Sequence, residues 1–245
     1  GNFDRYCSDG TFDFYDFRSE NERRRQQAAA LSLKGKLSTG SVAHELGFGI
    51  VNSRVRNRFD RQAFNYVGTG NIQGTAVVPA DPALTDENTN RDEKSLEFSV
   101  QDAIRWNAQF TTWLGLRHTR LDRSSMRTNG SRATAYTDSL TTPWLAASYQ
   151  FTPALMAYAS YGEGVESQVV PNRAAQYTNA GVALPALKSK QYELGLKGGD
   201  AANGWQVAWF QIERPVSKLD ACGRLGITPC LGQYDGDALH RGLEA

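Results

Sequence analysis

Cys222 and Cys230 bracket the stretch ACGRLGITPCLG, whose Gly and Pro content suits a surface loop closed by a disulfide. An oxidising compartment lets such a bond persist. Two thiols at this spacing, with no nearby His and no second pair, make no zinc site. Cys7 has no local partner. His44, His118 and His240 are scattered, no Ser, Cys or Asp arrangement of nucleophilic type appears, and no Gly-rich phosphate loop leads from a strand into a helix. Neither an enzyme nor a resident metal or cofactor is expected. Glu193 and Lys197, in LKSKQYELGLKGG, share one face of an alternating segment and offer charge in place of reactivity.

These residues need elements to hold them, and composition bounds what those are. The 245 residues are 40% hydrophobic and 22% charged, enough to bury a core. No run reaches the roughly eighteen apolar residues of a membrane helix. The opening GNFDRYCSDG reads as the inside of a loop, so the sequence is expected to begin within a protein, and a missing leader says nothing of compartment. A formal net charge of +1 with no basic stripe gives no sign of a nucleic-acid partner. Arg23, Arg24 and Arg25 read as a solvated strand end or loop base.

The periodicity is two. Tyr192, Leu194 and Leu196 alternate with Gln191, Glu193, Gly195 and Lys197, and the same alternation places Leu31, Leu33 and Leu37, then Leu46, Phe48 and Ile50, on single faces. Further strands are predicted from Leu96 to Ile104, over 110–120, 143–151, 155–162 and 205–213, with another starting near 235. Between 11 and 37 the break is open: one long strand, or a hairpin turning near Glu20 to Glu22. The class is all-β, an antiparallel up-and-down meander of about nine or ten strands. Short turns near Ser38, Trp106, Thr152 and Gly198 alternate with long loops over 60–92, 122–141, 163–186 and from 215, so the two kinds of connection lie at opposite ends.

Outer-membrane barrels sort their connections this way, with short periplasmic turns and longer extracellular loops; a β-sandwich has no reason to. The apolar faces run for about nine or ten residues, the length a tilted strand needs to cross hydrocarbon. The opposite faces carry Lys34, Glu45, Arg117, Glu193 and Lys197, which suit a wet lumen. Trp106, Tyr149 and Trp205, near the turns, fit an interfacial girdle.

LKSKQYELGLKGG, followed by WQVAWFQIERPV and HRGLEA, resembles the mid-barrel region of TonB-dependent siderophore receptors of the Gram-negative outer membrane. SLEFSVQDAIRWN, TTWLGLRHTRLD and TPWLAASYQFTPALMAYASYGEGV match in the same order. The resemblance covers nearly the whole chain from about Phe12. It implies that residues 1–245 are part of a 22-stranded transmembrane barrel with a plugged lumen, the plug and the final strands falling outside them, and that the isolated piece is inactive. It implies no cofactor, a ferric siderophore as transported ligand, outer-membrane lipid around the wall, and the TonB complex engaging a region ahead of the plug.

In that family the chelate lands among loop residues. Aromatic faces and Arg donors suit planar, anionic chelates, which makes Tyr66, Tyr136, Arg173 and Tyr177 the candidate ligand residues. Glu193 and Lys197 would face the lumen as a structural ion pair or a plug contact. The rival readings are a passive porin and a secreted β-sandwich binding module.

Overall fold

The computed structural model describes residues 7–74, 83–171, 176–200, 202–217 and 229–245. Among the described residues eleven strands run in chain order: β1 Thr11–Ser19, β2 Arg23–Thr39, β3 Val42–Arg58, β4 Gln62–Asn71, β5 Thr89–Arg105, β6 Phe110–Arg127, β7 Thr134–Thr152, β8 Leu155–Glu166, β9 Leu187–Gly199, β10 Gly204–Ser217 and β11 Tyr234–Glu244. Nine form one antiparallel sheet in the order β11-β10-β9-β8-β7-β6-β5-β3-β2, and β1 pairs with β4 in a separate two-stranded sheet. Within the nine-stranded sheet each strand lies beside the next one of that sheet in chain order, with β3 passing over β4 to pair with β5. That is the expected meander.

The short connections are built by side chains that replace ladder hydrogen bonds. Asn107 Oδ1 accepts from the amides of Gln109 and Phe110, both at 2.8 Å, closing the turn between β5 and β6. Asp200 Oδ1 does the same for Ala202 at 2.8 Å and Asn203 at 2.9 Å. The preceding Gly199 has φ 148°, and a Cβ there would stand 2.3 Å from the Asn203 carbonyl oxygen, so only glycine fits.

Cross-strand register sets the faces. Leu33, Phe48, Val100 and Leu116 lie in one row across four strands, and Leu194 and Trp209 are partners further along the sheet. These side chains are open to the surroundings, Leu31 by 72% and Leu194 by 58%, so the apolar band is an outer surface. Trp106, Tyr149, Phe151 and Trp205, all exposed, border it at the short-turn end. The opposite face is polar or small. Where it lacks a side chain an aromatic ring covers the gap: Tyr158 lies over Gly195 and Trp144 over Gly115.

Two readings are corrected. The connection over 60–92 is not all loop: it contains β4 and the first turn-proximal part of β5, and β1 with β4 continues the β2–β3 hairpin beyond a break. At that break Asn21 takes φ 50° and its side chain donates to Asp60 at 2.7 Å, so the chain passes from β1 to β2 without reversing. The connection over 122–141 shrinks to a turn, since β6 extends to Arg127 and β7 begins at Thr134. Both faces are wet at that height, so the strands lose their apolar alternation while keeping their hydrogen bonds. Two buried clusters form beside the sheet. Val170, Tyr177, Ala180 and Leu184 form one buried cluster, and Leu121, Leu140 and Ala186 another, both at the long-loop end.

Candidate functional site

The polar face at the long-loop end gathers charges from strands distant in sequence. Arg91 and Glu93 stand on β5, Arg123 on β6 and Tyr136 on β7, and the register brings Arg123 opposite both Glu93 and Tyr136. Arg123 Nε meets Glu93 Oε2 at 2.5 Å, Nη1 donates to the Tyr136 hydroxyl at 2.9 Å, and Nη2 donates to Ser167 Oγ at 2.6 Å. The Tyr136 hydroxyl then donates to the Leu184 carbonyl at 3.0 Å. One guanidinium thus ties the wall to both ends of the loop after β8. Burial pushes the Tyr136 phenol up, against the opposing pull of Arg123, so it remains a neutral donor.

That loop has its own ladder. Val170 N donates to the Val182 carbonyl at 2.9 Å and Leu184 N to the Gln168 carbonyl at 2.8 Å. A second segment is joined to it: Asn179 exchanges two side-chain hydrogen bonds, each 2.8 Å, with the backbone of Gly232. Cys230 is disulfide-bonded and Cys7 is an exposed free thiol. Cys222 lies outside the described residues.

Between wall and loop remains a cavity of about 130 Å³, lined by Asn57, Arg91, Glu93 and Arg123 from the strands and by Val169 and Ala183 from the loop. Arg91 Nε has no hydrogen-bond partner among the described residues. Burial alone lowers the Arg91 pKa, but a guanidinium keeps its charge. An unpaired donor of this kind suits an anionic, planar ligand. Among the described residues no group of His, Cys, Asp and Glu is arranged to hold a metal ion.

Of the four residues proposed from sequence, the described ones, Tyr66, Tyr136 and Tyr177, stand on different elements. Tyr136 is the ladder partner of Arg123, which lines the cavity, but it stands on a strand with its hydroxyl engaged. Tyr177 is buried in the loop's core, 4% exposed, and its ring holds the loop together. Tyr66 sits opposite Tyr15 in the β1–β4 pair, away from this wall, and Arg173 lies outside the described residues. Arg91 and Arg123 were missed because they were read as loop, and Glu93 because it fell between the loop ending at Asp92 and the strand starting at Leu96. The alternation Arg91, Glu93, Ser95, Glu97 along one face was the available signal. Lower on the polar face, Glu193 and Lys197 do not pair directly among the described residues: the Tyr158 hydroxyl donates to Glu193, and Lys197 Nζ lies 4.8 Å from the Tyr158 ring centre.

An apolar outer band, a polar opposite face and loops tied across one end are the features of a wall segment of an outer-membrane β-barrel. Residues 1–245 match the model of the TonB dependent receptor-like β-barrel. The chain belongs to that family, whose members reside in the outer membrane of Gram-negative bacteria. It is 25% identical over 235 residues to the metal-pseudopaline receptor CntO of Pseudomonas aeruginosa, covering 87% of this chain and 32% of that protein. The ferric preacinetobactin receptor BauA of Acinetobacter baumannii superposes with a TM-score of 0.67 at 25% identity, over 96% of this chain and 35% of that one. FpvA of P. aeruginosa, solved with pyoverdines, gives 0.65 at 19% identity over 97% of this chain and 32% of its own, a likeness of fold. The chain therefore spans about a third of the length of these relatives.

Proposed function

We propose that the protein containing this chain imports ferric siderophores across the outer membrane in a TonB-dependent manner, and that the rim formed by Arg91, Arg123 and Tyr136 receives the chelate. The observation that carries the reading is Arg91, half-buried under the loop with its Nε unpartnered among the described residues, in a chain whose relatives are receptors for ferric preacinetobactin and metal-pseudopaline. The barrel is read as 22-stranded and plugged, the iron chelate as substrate, and the TonB complex as the partner that supplies energy.

The test is growth of a receptor-deleted host, carrying the full reading frame, on single ferric chelates as iron source. Growth on one chelate class that vanishes when TonB is removed supports the reading; uptake that persists without TonB favours a passive porin. Residues 1–245 alone are proposed to be inactive. Within the described sheet β2 and β11 are unpaired edges, which hydrocarbon does not tolerate. A heat-modifiable, folded band from these residues alone would refute that.

A further inference from the structure

The apolar band continues upward into a charged field on four strands. Following the outer face of β3 from Ile50, the residues are Asn52, Arg54, Arg56 and Arg58, and the register sets Gln27, Arg25 and Arg23 of β2 opposite the three arginines. Lys94 and Asp92 of β5 stand on the other side of Arg54 and Arg56, with Arg120 and Asp122 of β6 beyond. Seven cations face two carboxylates. On the same face of β8 to β11 the charges balance, Lys188, Lys190 and Arg241 against Glu163, Glu213 and Asp237, so the excess is a local feature and not a general fringe. The triplet Arg23 to Arg25 is divided by the strand: Arg24 points to the opposite face and pairs with Glu22.

Asp92 cannot neutralise this cluster. It is 2.5 Å from Arg58, 3.1 Å from Arg56 and 4.0 Å from Arg54, while Arg23, Arg25 and Lys94 meet no carboxylate among the described residues. Arg54 Nε has no hydrogen-bond partner among the described residues. Arg25, Gln27, Arg54 and Arg56 line a cleft of about 90 Å³, room for about three waters or one phosphate group. Just below, Leu31, Leu33, Phe48, Ile50, Phe98 and Val100 line an apolar groove of about 440 Å³.

Height decides what fills both. Arg54 is four residues above Ile50, about 13 Å along the strand and, at the tilt of a barrel strand, about 10 Å along the membrane normal. The headgroup layer begins within that distance of the hydrocarbon edge, and long arginine side chains reach down to it. We propose that the outer face of β2, β3 and β5 is a binding site for a phosphate-bearing lipid of the outer leaflet, its acyl chains in the groove and its headgroup phosphate on Arg25, Arg54 and Arg56. Arginine matches phosphate oxygens two at a time, whereas a solvated charge fringe needs neither the cleft nor the groove.

The test uses the full-length receptor in detergent, with retained lipid counted by native mass spectrometry after addition of lipid A bearing two phosphates, the same lipid dephosphorylated, or inorganic phosphate. The expected result is at least tenfold greater retention of the phosphorylated lipid, falling several-fold as salt is raised and lost in the Arg25→Gln, Arg54→Gln, Arg56→Gln triple variant, with Glu163→Gln unchanged. Equal retention of phosphorylated and dephosphorylated lipid by the unaltered receptor overturns the site even if the triple variant fails to fold. Saturable inorganic phosphate binding without lipid preference overturns the lipid assignment.

Discussion

Arg123 donates to the hydroxyl of Tyr136 at 2.9 Å, and through it the guanidinium is coupled to the Leu184 carbonyl on the far end of the loop. A strand-to-strand contact thereby holds a loop in place, so the two residues set the shape of the extracellular rim as well as its charge.

Tyr136→Phe keeps the ring and removes the link. Leu184 loses a donor and Arg123 an acceptor, a loss of about 1–3 kcal/mol for hydrogen bonds involving a charged group. The expected outcome is faster proteolysis within residues 167–186 with the barrel intact, read by limited digestion of the folded receptor.

Arg91→Ala removes the unpaired donor from the cavity without breaking any hydrogen bond among the described residues. If the chelate lands there, its Kd rises about 10- to 100-fold, the worth of one charged hydrogen bond, while thermal stability holds. Fluorescence titration of the purified receptor with ferric chelate measures this.

Gly195→Val places a Cβ 2.5 Å from the Tyr158 ring, which must leave and give up Glu193 and Lys197. Folded barrel is expected to fall sharply in a heat-modifiability gel. Gly35→Ala, with nothing within 4 Å, is expected to be silent.

Leu194→Arg puts a charge on the lipid face, at a cost of about 2–4 kcal/mol near the bilayer midplane. Reduced assembly into the outer membrane is the expected readout, with Lys197→Arg on the other face tolerated.

Burial raises the Asp92 carboxyl pKa, but hydrogen bonds from Arg58 and Arg56 outweigh it and leave the group below its ordinary 3.8. A depressed carboxylate stabilises the fold above its unfolded pKa and loses that contribution as pH falls through the folded one. Urea stability of the receptor and its Asp92→Asn variant should therefore differ above pH 3.8 and converge below it.

Thiol titration checks the disulfide at Cys230. With Cys222 as its partner, the native chain should show one reactive thiol, Cys7, and three after reduction.

Strand identity and facing were legible in sequence wherever one side met an apolar surrounding. Leu31, Leu33, Phe48, Ile50, Leu194 and Leu196 alternate because lipid is on one side only, and within a strand that parity is a local property. The sorting of turns from loops was equally local, written in Asn107, Gly199 and Asp200. The same logic failed above the hydrocarbon: residues 89–95, 121–127 and 134–137 are strand, but water on both faces erased the pattern, and Tyr136 was read as loop.

Order of strands and the division of each into two faces were thus determined by the sequence itself, through period two and turn chemistry. Tertiary structure alone decided which charges meet. Arg56 and Asp92, or Arg123 and Ser167, are far apart in the chain and become neighbours only through the register of strands that pair across it. Register is a sum over many hydrogen bonds and packed rows, so no single residue announces it. The loop's inward fold over Arg91 and the alignment of Arg25 with Arg54 and Arg56 are consequences of that sum.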